Sequence, residues 1–373
     1  MSSHPAPDLS RLPEEIRGRV RLTTSCHDCD VLPKVEAAGQ VVTREDGREV
    51  QVMHNGVVVE AGGYFGDWMA EIIRCLRGHH EPQEELAFAR VLDRLADGAD
   101  RPLTAIELGS FWAYYSLWFL DRFPDGRVVA MEPDPLNLEL GKRNFELNGR
   151  TGTFVQGVIG PRPGETTDFA SETDGRTHAV TQMSLETLMA EGGMDHVDLL
   201  LCDIQGGEQY FFTQAMDLLR RGAVRFAVVS THHHSISGDP LTHQKVLELF
   251  RGLGAHIVVE HTVGESFSGD GLIVVSFDPA ADGDFVVETS MARQGDSLFG
   301  AVEYDLAHAQ EQVRALRADR DRLEQAARNA AEESRARSEE LSRMRATRLW
   351  RWAAGARQIW SRLRTVRDRV RAG

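Results

Sequence analysis

The sequence contains no run of about 18 consecutive apolar residues, which excludes a membrane-crossing helix. Met1 to Arg21 is polar and lacks the apolar stretch of a secretory leader. The expectation from these two absences is a cytoplasmic protein. Cysteine is scarce: Cys26, Cys29, Cys75 and Cys202 are the four among 373 residues. A chain of this size needs no disulfide framework, so any special role for the thiols is metal or redox chemistry. There is one Cys-x-x-Cys, Cys26-His27-Asp28-Cys29, and no second. It supplies half of a zinc site, which Cys75 and His79, four apart on an expected helix, could complete. The alternative is a set of ordinary cysteines packed in a small module. The G-x-G-x-x-G fingerprint of dinucleotide folds is absent.

Positive charge is also scarce, except at one end. The net charge is −15. From Leu341 to Gly373 ten arginines meet one acid, Asp368, so that segment carries +9 and the rest −24. An acidic body argues against general nucleic-acid binding. The arginine-rich end needs a separate explanation.

What is present divides the chain into four parts. Residues 1–85 read as an N-terminal module, a possible substrate cap. In it Glu49–Met53 and Val57–Glu60 are expected strands joined at Asn55-Gly56 by a type I′ turn. Tyr64–Leu76 reads as an amphipathic helix, and a second helix, Glu84–Leu95, leads into the next part. Residues 86–290 alternate strand and helix. The expected strands are Leu103–Leu108, Arg127–Glu132, Thr153–Gly157, Val197–Asp203, Arg225–Ser230, His256–Glu260 and Leu272–Phe277. The expected helices include Leu136–Leu147, Gln214–Arg220 and Leu241–Leu253. Short apolar strands alternating with helices imply a mostly parallel sheet covered on both faces, with its ligand at the carboxyl ends of the strands.

Residues 300–345 lose Gly and Pro from about Glu303 onward and follow heptad spacing through Leu306, Ala309, Val313, Leu316 and Leu323, then Ala327, Ala330, Leu341 and Met344. Arg320, Ser334 and Arg337 interrupt the seam. One long helix is expected, either self-associating as a short coiled coil or solvated alone. Residues 346–373 interleave arginine with Trp350, Trp352 and Trp360 and continue through Ile359, Leu363, Val366 and Val370. Such a helix suits an anionic membrane interface, as a peripheral contact at the inner face. A packed terminal helix is the other reading.

The strongest local signal is Ala105-Ile106-Glu107-Leu108-Gly109-Ser110-Phe111-Trp112-Ala113. A strand ends in an acid, a glycine turn follows and a helix begins. The carboxylate of Glu107 can attract the ammonium of a methionine moiety. Gly109 lets the backbone approach a ligand, and the turn with Ser110 and the helix start offers N–H groups to a carboxylate. The next strand ends in Glu132-Pro133, 25 residues after Glu107. An acid at that strand tip can accept both hydroxyls of a ribose. Glu107, Gly109, Ser110 and Glu132 are therefore the candidate cofactor residues, and S-adenosylmethionine (SAM) is the cofactor they suit; the alternative is a merely structural turn followed by a surface acid at a strand end.

Glu107-Leu108-Gly109, Glu132-Pro133 with Asn144 and Asn148 downstream, and Asp203-Ile204-Gln205-Gly206-Gly207-Glu208 together resemble the FkbM-type methyltransferases. His80-Glu81-Pro82-Gln83-Glu84-Glu85 resembles that family's lead-in. The similarity covers roughly residues 80–278. It implies an α/β fold: a Rossmann-like class I methyltransferase domain, here with a small N-terminal module and a C-terminal helical or coiled-coil extension. It also implies transfer of methyl groups from SAM, typically to hydroxyls of sugars and natural products. Ala113 stands where the family usually has the last glycine of the first loop, and Gln205 where it usually has glutamate.

Methyl transfer from a sulfonium needs an aligned acceptor, excluded water and a group to take the acceptor's proton. Asp203, at the end of the fourth strand of the central part, is the candidate for that work. The fifth strand ends in Thr231-His232-His233-His234. Alternation of an extended chain would put His232 and His234 on one side, as candidate catalytic bases, and His233 on the other, toward the substrate. Glu208 either holds the acceptor or complements a helix start. Asp203 with one or two of the histidines could hold a divalent ion, but no metal site is assigned; a solvated loop is the third reading of the histidines. The functional expectation is an O-methyltransferase acting on a glycan hydroxyl, in bacterial surface polysaccharide biosynthesis. A natural-product tailoring enzyme and a non-catalytic scaffold acting through the coiled coil are the alternatives.

Overall fold

The computed structural model describes residues 4–292 and 300–370, with the side chains of 300–308, 350, 365–366 and 368–370 excepted. Residues 4–292 belong to one compact unit and residues 300–370 to a second.

The first unit begins with helix α1 (Glu14–Thr24), strands β1 (Val41–Thr43), β2 (Glu49–Val52) and β3 (Val58–Glu60), and helices α2 (Asp67–Cys75) and α3 (Pro82–Ala96). The three strands form a small antiparallel sheet. The β2–β3 turn differs from the expected type I′. Gly56 has φ 93°, but Asn55 is not among the positive-φ residues. Gly56 N donates to Met53 O, and Met53 N to Val57 O. The turn is thus centred on His54-Asn55, with Gly56 supplying the left-handed residue that restores register. Helix α2 also starts later than expected, because Phe65 (φ 51°) and Gly66 (φ 73°) are both left-handed. That kink leaves Tyr64 and Phe65 outside the helix.

The main sheet is built from β4 (Thr104–Leu108), β5 (Arg127–Met131), β6 (Thr153–Val155), β10 (Val197–Cys202), β11 (Val224–Thr231), β12 (His256–His261) and β13 (Gly271–Ser276). Between them lie β7 (Gly157–Ile159), β8 (Thr166–Ala170), β9 (Thr177–Met183) and helices α4 (Tyr114–Arg122), α5 (Pro135–Leu147), α6 (Leu185–Glu191), α7 (Glu208–Arg220), α8 (His234–Ser237), α9 (Thr242–Gly252) and α10 (Pro279–Asp282). The sheet order is β12-β13-β11-β10-β4-β5-β6. Strands β11, β10, β4, β5 and β6 are parallel, and β13 runs antiparallel to both of its neighbours. This is the doubly wound order, with its crevice where the order reverses at β4–β10. Every residue of β4, β10 and β13 is buried. That is why these strands read as apolar runs with little alternation.

The expected strand Thr153–Gly157 is in fact two. β6 closes the main sheet, whereas β7 leaves it and pairs with β9 in a second sheet of order β7-β9-β8. Gly157 allows the departure: a Cβ there would meet the Met183 side chain at 2.8 Å and Thr181 O at 2.9 Å. The β8–β9 hairpin was missed because β8 is half exposed and carries little apolar signal.

The N-terminal sheet is tied to α5 by two asparagines. Asn148 Oδ1 accepts from Val58 N (3.0 Å) and its Nδ2 donates to Val58 O (2.7 Å), as a neighbouring strand would. Asn144 accepts from Glu60 N and donates to Trp112 O, both at 2.9 Å.

The second unit comprises helices α11 (Gly300–Ala346) and α12 (Arg348–Val370). Glu-to-Arg pairs four residues apart run along α11, as at Glu324–Arg328, Glu333–Arg337 and Glu339–Arg343. Each contributes roughly 0.3–0.5 kcal/mol to the helix. Val313, Leu316, Leu323, Leu341 and Met344 are all exposed. Leu306, Trp350, Val366 and Val370, also expected in the apolar faces, lie outside the described side chains.

Candidate active site

The carboxyl ends of β5, β4, β10 and β11 open into one cavity of about 530 Å³, within the usual range for ligand sites. Its floor is the loop after β4. Phe111 (φ 40°) and Ala113 (φ 58°) are left-handed, as is Gly109 (φ 75°). Ala113 therefore occupies a conformation that favours glycine, which accounts for the family's usual residue there. Gly109 has no room for any side chain: a Cβ would lie against Asp203 O.

The tips of β4, β5 and β10 each present an acid. Glu107, at the end of β4, is buried and accepts from Ser116 N (3.1 Å) and from Ser116 Oγ; both bonds end on Oε2. Burial raises its carboxyl to about 8, against the opposing Ser116 bonds, with Asp203 and Glu132 adding to the rise. Glu132, just after β5, accepts from Phe111 N through Oε2 and from Asp134 N through Oε1, both at 3.0 Å. Burial pushes it up to about 7 despite those two bonds. Ser110 Oγ lines the cavity, is buried and has no hydrogen-bond partner. All four expected cofactor residues, Glu107, Gly109, Ser110 and Glu132, line this one cavity.

Asp203, just after β10, also lines it, with its side chain 46% exposed. His232 lies behind Asp203, buried, with Nε2 3.0 Å from Asp203 Oδ1 and 3.7 Å from Asp270 Oδ1. Its Nδ1 is 3.3 Å from Glu208 Oε1, an ionic contact without hydrogen-bond alignment. Burial alone would lower the imidazole's pKa. The carboxylates of Asp270 and Asp203 and the contact with Glu208 outweigh it and hold His232 protonated, well above the ordinary histidine range. Behind Asp203 and outside the cavity lining, His232 is placed as a charge partner for that carboxylate and not as a base at the substrate, which differs from the expected role.

The other expectations for this lip are corrected too. The chain leaves the extended conformation after His232: His233 caps α8 and His234 begins it. His234 is exposed, and neither it nor His233 lines the cavity. Alternation failed because it presumed an extended chain. Glu208 is fully buried, and its Oε1 accepts from Ile204 N (3.3 Å) and Gly206 N (3.1 Å). It shapes the loop after β10 and braces His232 without reaching the cavity. Among the described residues, Asp203 and the histidines form no three-ligand group. Nor do the cysteines assemble the expected zinc set: Cys29, His79 and Glu85 approach one another, without Cys26 or Cys75.

The sequence reading assigned no role to the wall opposite the strand tips. Glu81 and Glu84 come from the start of α3, and His80 precedes it. His80 makes ion pairs with Glu85 (2.6 Å) and Glu81 (3.2 Å). These carboxylates hold its imidazole at about 10, against the effect of burial. Glu84 Oε2 accepts from Ser230 Oγ at 2.8 Å. Burial, then the charges of Glu81 and Asp203, raise Glu84 well above the carboxylate range. Tyr64 stacks on Trp112 (4.4 Å between centroids, planes 2° apart) and meets Phe111 edge-on. The β8–β9 hairpin adds Phe169, Ala170, Glu172 and Thr173. The signal available in the sequence was His80-Glu81 followed by Glu84-Glu85 at a proline-marked helix start.

Residues 96–257 match the methyltransferase FkbM domain. No curated protein matches the chain. Among solved structures it is similar to precorrin-6y C5,15-methyltransferase from Geobacter metallireducens GS-15, at 17% identity over 50% of this chain and 86% of that one, with a TM-score of 0.32. It is similar to the human methyltransferase 10 domain containing protein at 16% identity over 52% of this chain and 82% of that one, TM-score 0.35. A third is the bifunctional kinase-methyltransferase WbdD, at 14% identity over 52% of this chain and 39% of that one, TM-score 0.32.

Proposed function

We propose, from the match of residues 96–257 to the methyltransferase FkbM domain, that the cavity binds SAM and directs its methyl group to a hydroxyl of a sugar, in bacterial surface-glycan assembly. The observation that carries this reading is the placement of Glu107, Glu132 and Asp203 at adjacent strand ends around one cavity. The residues present fit the cofactor. Ser110 Oγ is a buried polar atom without a partner. Glu132 keeps acceptor capacity for ribose hydroxyls beyond its two backbone bonds. Glu107 suits an ammonium group.

When bound, SAM supplies an electrophilic methyl carbon on a sulfonium. Asp203, the exposed carboxylate on the lip, accepts the proton of the acceptor hydroxyl as the new carbon–oxygen bond forms. His232 positions Asp203 and balances its charge. Tyr64, Phe111 and Trp112 exclude water from the reacting side. No metal is assigned a part. The test is incubation of the purified chain with SAM and oligosaccharide acceptors, read by mass spectrometry. An added methyl on a sugar oxygen supports the reading, and methylation confined to non-sugar acceptors refutes the substrate assignment.

Location and partners follow from the second unit, and they too are proposals. Among the described residues no helix is long and apolar enough to cross a membrane. On α12, Leu349, Trp352, Ile359, Trp360 and Leu363 recur at three- and four-residue spacing and are exposed, flanked by arginines. Such a helix suits the anionic inner face of a membrane, with the enzyme held peripherally on the cytoplasmic side. The exposed apolar seam of α11 suits pairing with a second copy as a coiled coil.

A further inference from the structure

The acceptor end of the cavity is notable for what balances its acids. The cavity lining includes several carboxylates and, among the described residues, no lysine or arginine. Arg19, whose charge bears on Asp270, lies over the Trp68 ring and outside the lining. Two of these acids have built-in cations: His80 serves Glu81, and His232 serves Asp203. Glu107 and Glu132 face the cofactor end. Glu84 is left. It lines the cavity and, among the described residues, makes no ion pair and has one neutral hydrogen-bond partner, Ser230. The charges of Glu81 and Asp203 both bear on it.

A half-buried carboxyl beside two carboxylates favours keeping a proton or acquiring a cation. Burial and those two charges raise the Glu84 carboxyl well above the carboxylate range, against the opposing charge of His80. A protonated amine arriving in the cavity can take the place of that proton, forming charge-assisted bonds with Glu84 and its neighbours. The rings of Tyr64, Trp112 and Tyr115 also line this space, and aromatic faces attract cations. A carboxylate- or phosphate-bearing ring would instead meet like charge, because the His80 cation in the lining is already paired with Glu81 and Glu85.

We propose that Glu84, with Glu81 and Asp203, forms a cation subsite that selects acceptor sugars bearing a protonated amino group and rejects those bearing a carboxylate. The proposal rests on the methyltransferase reading of the same cavity and names its substrate class.

The test uses calorimetry on the full chain, in saturating S-adenosylhomocysteine, with three matched probes: the methyl glycosides of glucosamine, glucose and glucuronic acid. The amine is expected to bind at least about tenfold tighter than the neutral ring, and the uronate not detectably; a tenfold ratio corresponds to about 1.4 kcal/mol. Glu84→Gln, close in shape to the protonated acid, should bring the amine and neutral affinities together. Equal affinities in the wild type, no heat with the amine, or an amine preference that survives Glu84→Gln overturns the proposal. Failure of S-adenosylhomocysteine to bind is a separate result, and it strikes the cofactor reading instead.

Discussion

A Cβ on Gly109 would lie 1.7 Å from the carbonyl oxygen of Asp203. The contact joins the tips of β4 and β10, where Asp203 N also donates to Leu108 O at 2.9 Å. The cofactor loop and the proposed base are thus set by one close approach of two backbones. Gly109→Ala cannot be absorbed by rotating a side chain, and a φ of 75° adds roughly 1–2 kcal/mol of strain for any residue with a Cβ. The variant should melt earlier and bind S-adenosylhomocysteine at least about tenfold more weakly, as 1.4 kcal/mol implies. Wild-type melting and affinity together would show that the loop does not depend on this approach.

Chemistry at the lip divides Asp203 from the histidines. Asp203→Asn should lower turnover by about 10²–10⁴, the usual range for loss of a positioned base, while binding of S-adenosylhomocysteine changes little. His232→Gln should lower turnover less and reduce stability, because it leaves Asp203, Glu208 and Asp270 facing one another. His234→Ala, on the exposed start of α8, should match the wild type. Steady-state rates on any acceptor the wild type methylates decide this. Full turnover by Asp203→Asn removes it from the mechanism.

The main fold was legible where burial was complete. β4, β10 and β13 are apolar runs because they are covered on both faces, and the tips of β4, β5 and β10 carry the acids that located the cavity. Asn144 and Asn148 were legible only as family markers. Their role in joining α5 to β3 needs coordinates, because residues about 85–90 positions apart meet there. The histidine run misled because a helix start interrupts the strand. Glu84 was passed over because an acid in the first turn of a helix ordinarily complements the dipole in solvent. Only the folded cavity shows it half-buried near Glu81 and Asp203.

The raised carboxyls give stability a pH dependence of known sign. Glu107, at about 8, and Glu132, at about 7, keep protons that their unfolded counterparts lose near 4.5. Through that window the folded state binds more protons than the unfolded one, so their contribution to stability falls as pH rises. Denaturant unfolding at pH 5.5 and 8.5 should show a smaller decline in Glu107→Gln than in the wild type. An amide in place of the acid has no proton to lose. Identical pH profiles would mean that Glu107 is not buried as described.

The arginine-rich end makes a prediction independent of the cavity. Basic residues near an anionic bilayer contribute roughly 1 kcal/mol each, and exposed Trp352 and Trp360 suit the headgroup boundary. The full chain should cosediment with vesicles containing anionic lipid at low salt and be released at high salt. Removal of residues 348–370 should abolish binding. Failure of the full chain to bind at low salt would make α12 an element of self-association or packing.

The central claim is that Glu132 and its neighbours form a nucleoside site, and one titration tests it most directly. Wild type and Glu132→Ala are titrated with S-adenosylhomocysteine by calorimetry. The variant loses charged hydrogen bonds of about 1.5–3 kcal/mol. The account predicts saturable binding by the wild type and affinity at least about tenfold weaker in the variant. Absence of binding by the wild type, or equal affinities in the two proteins, would contradict it.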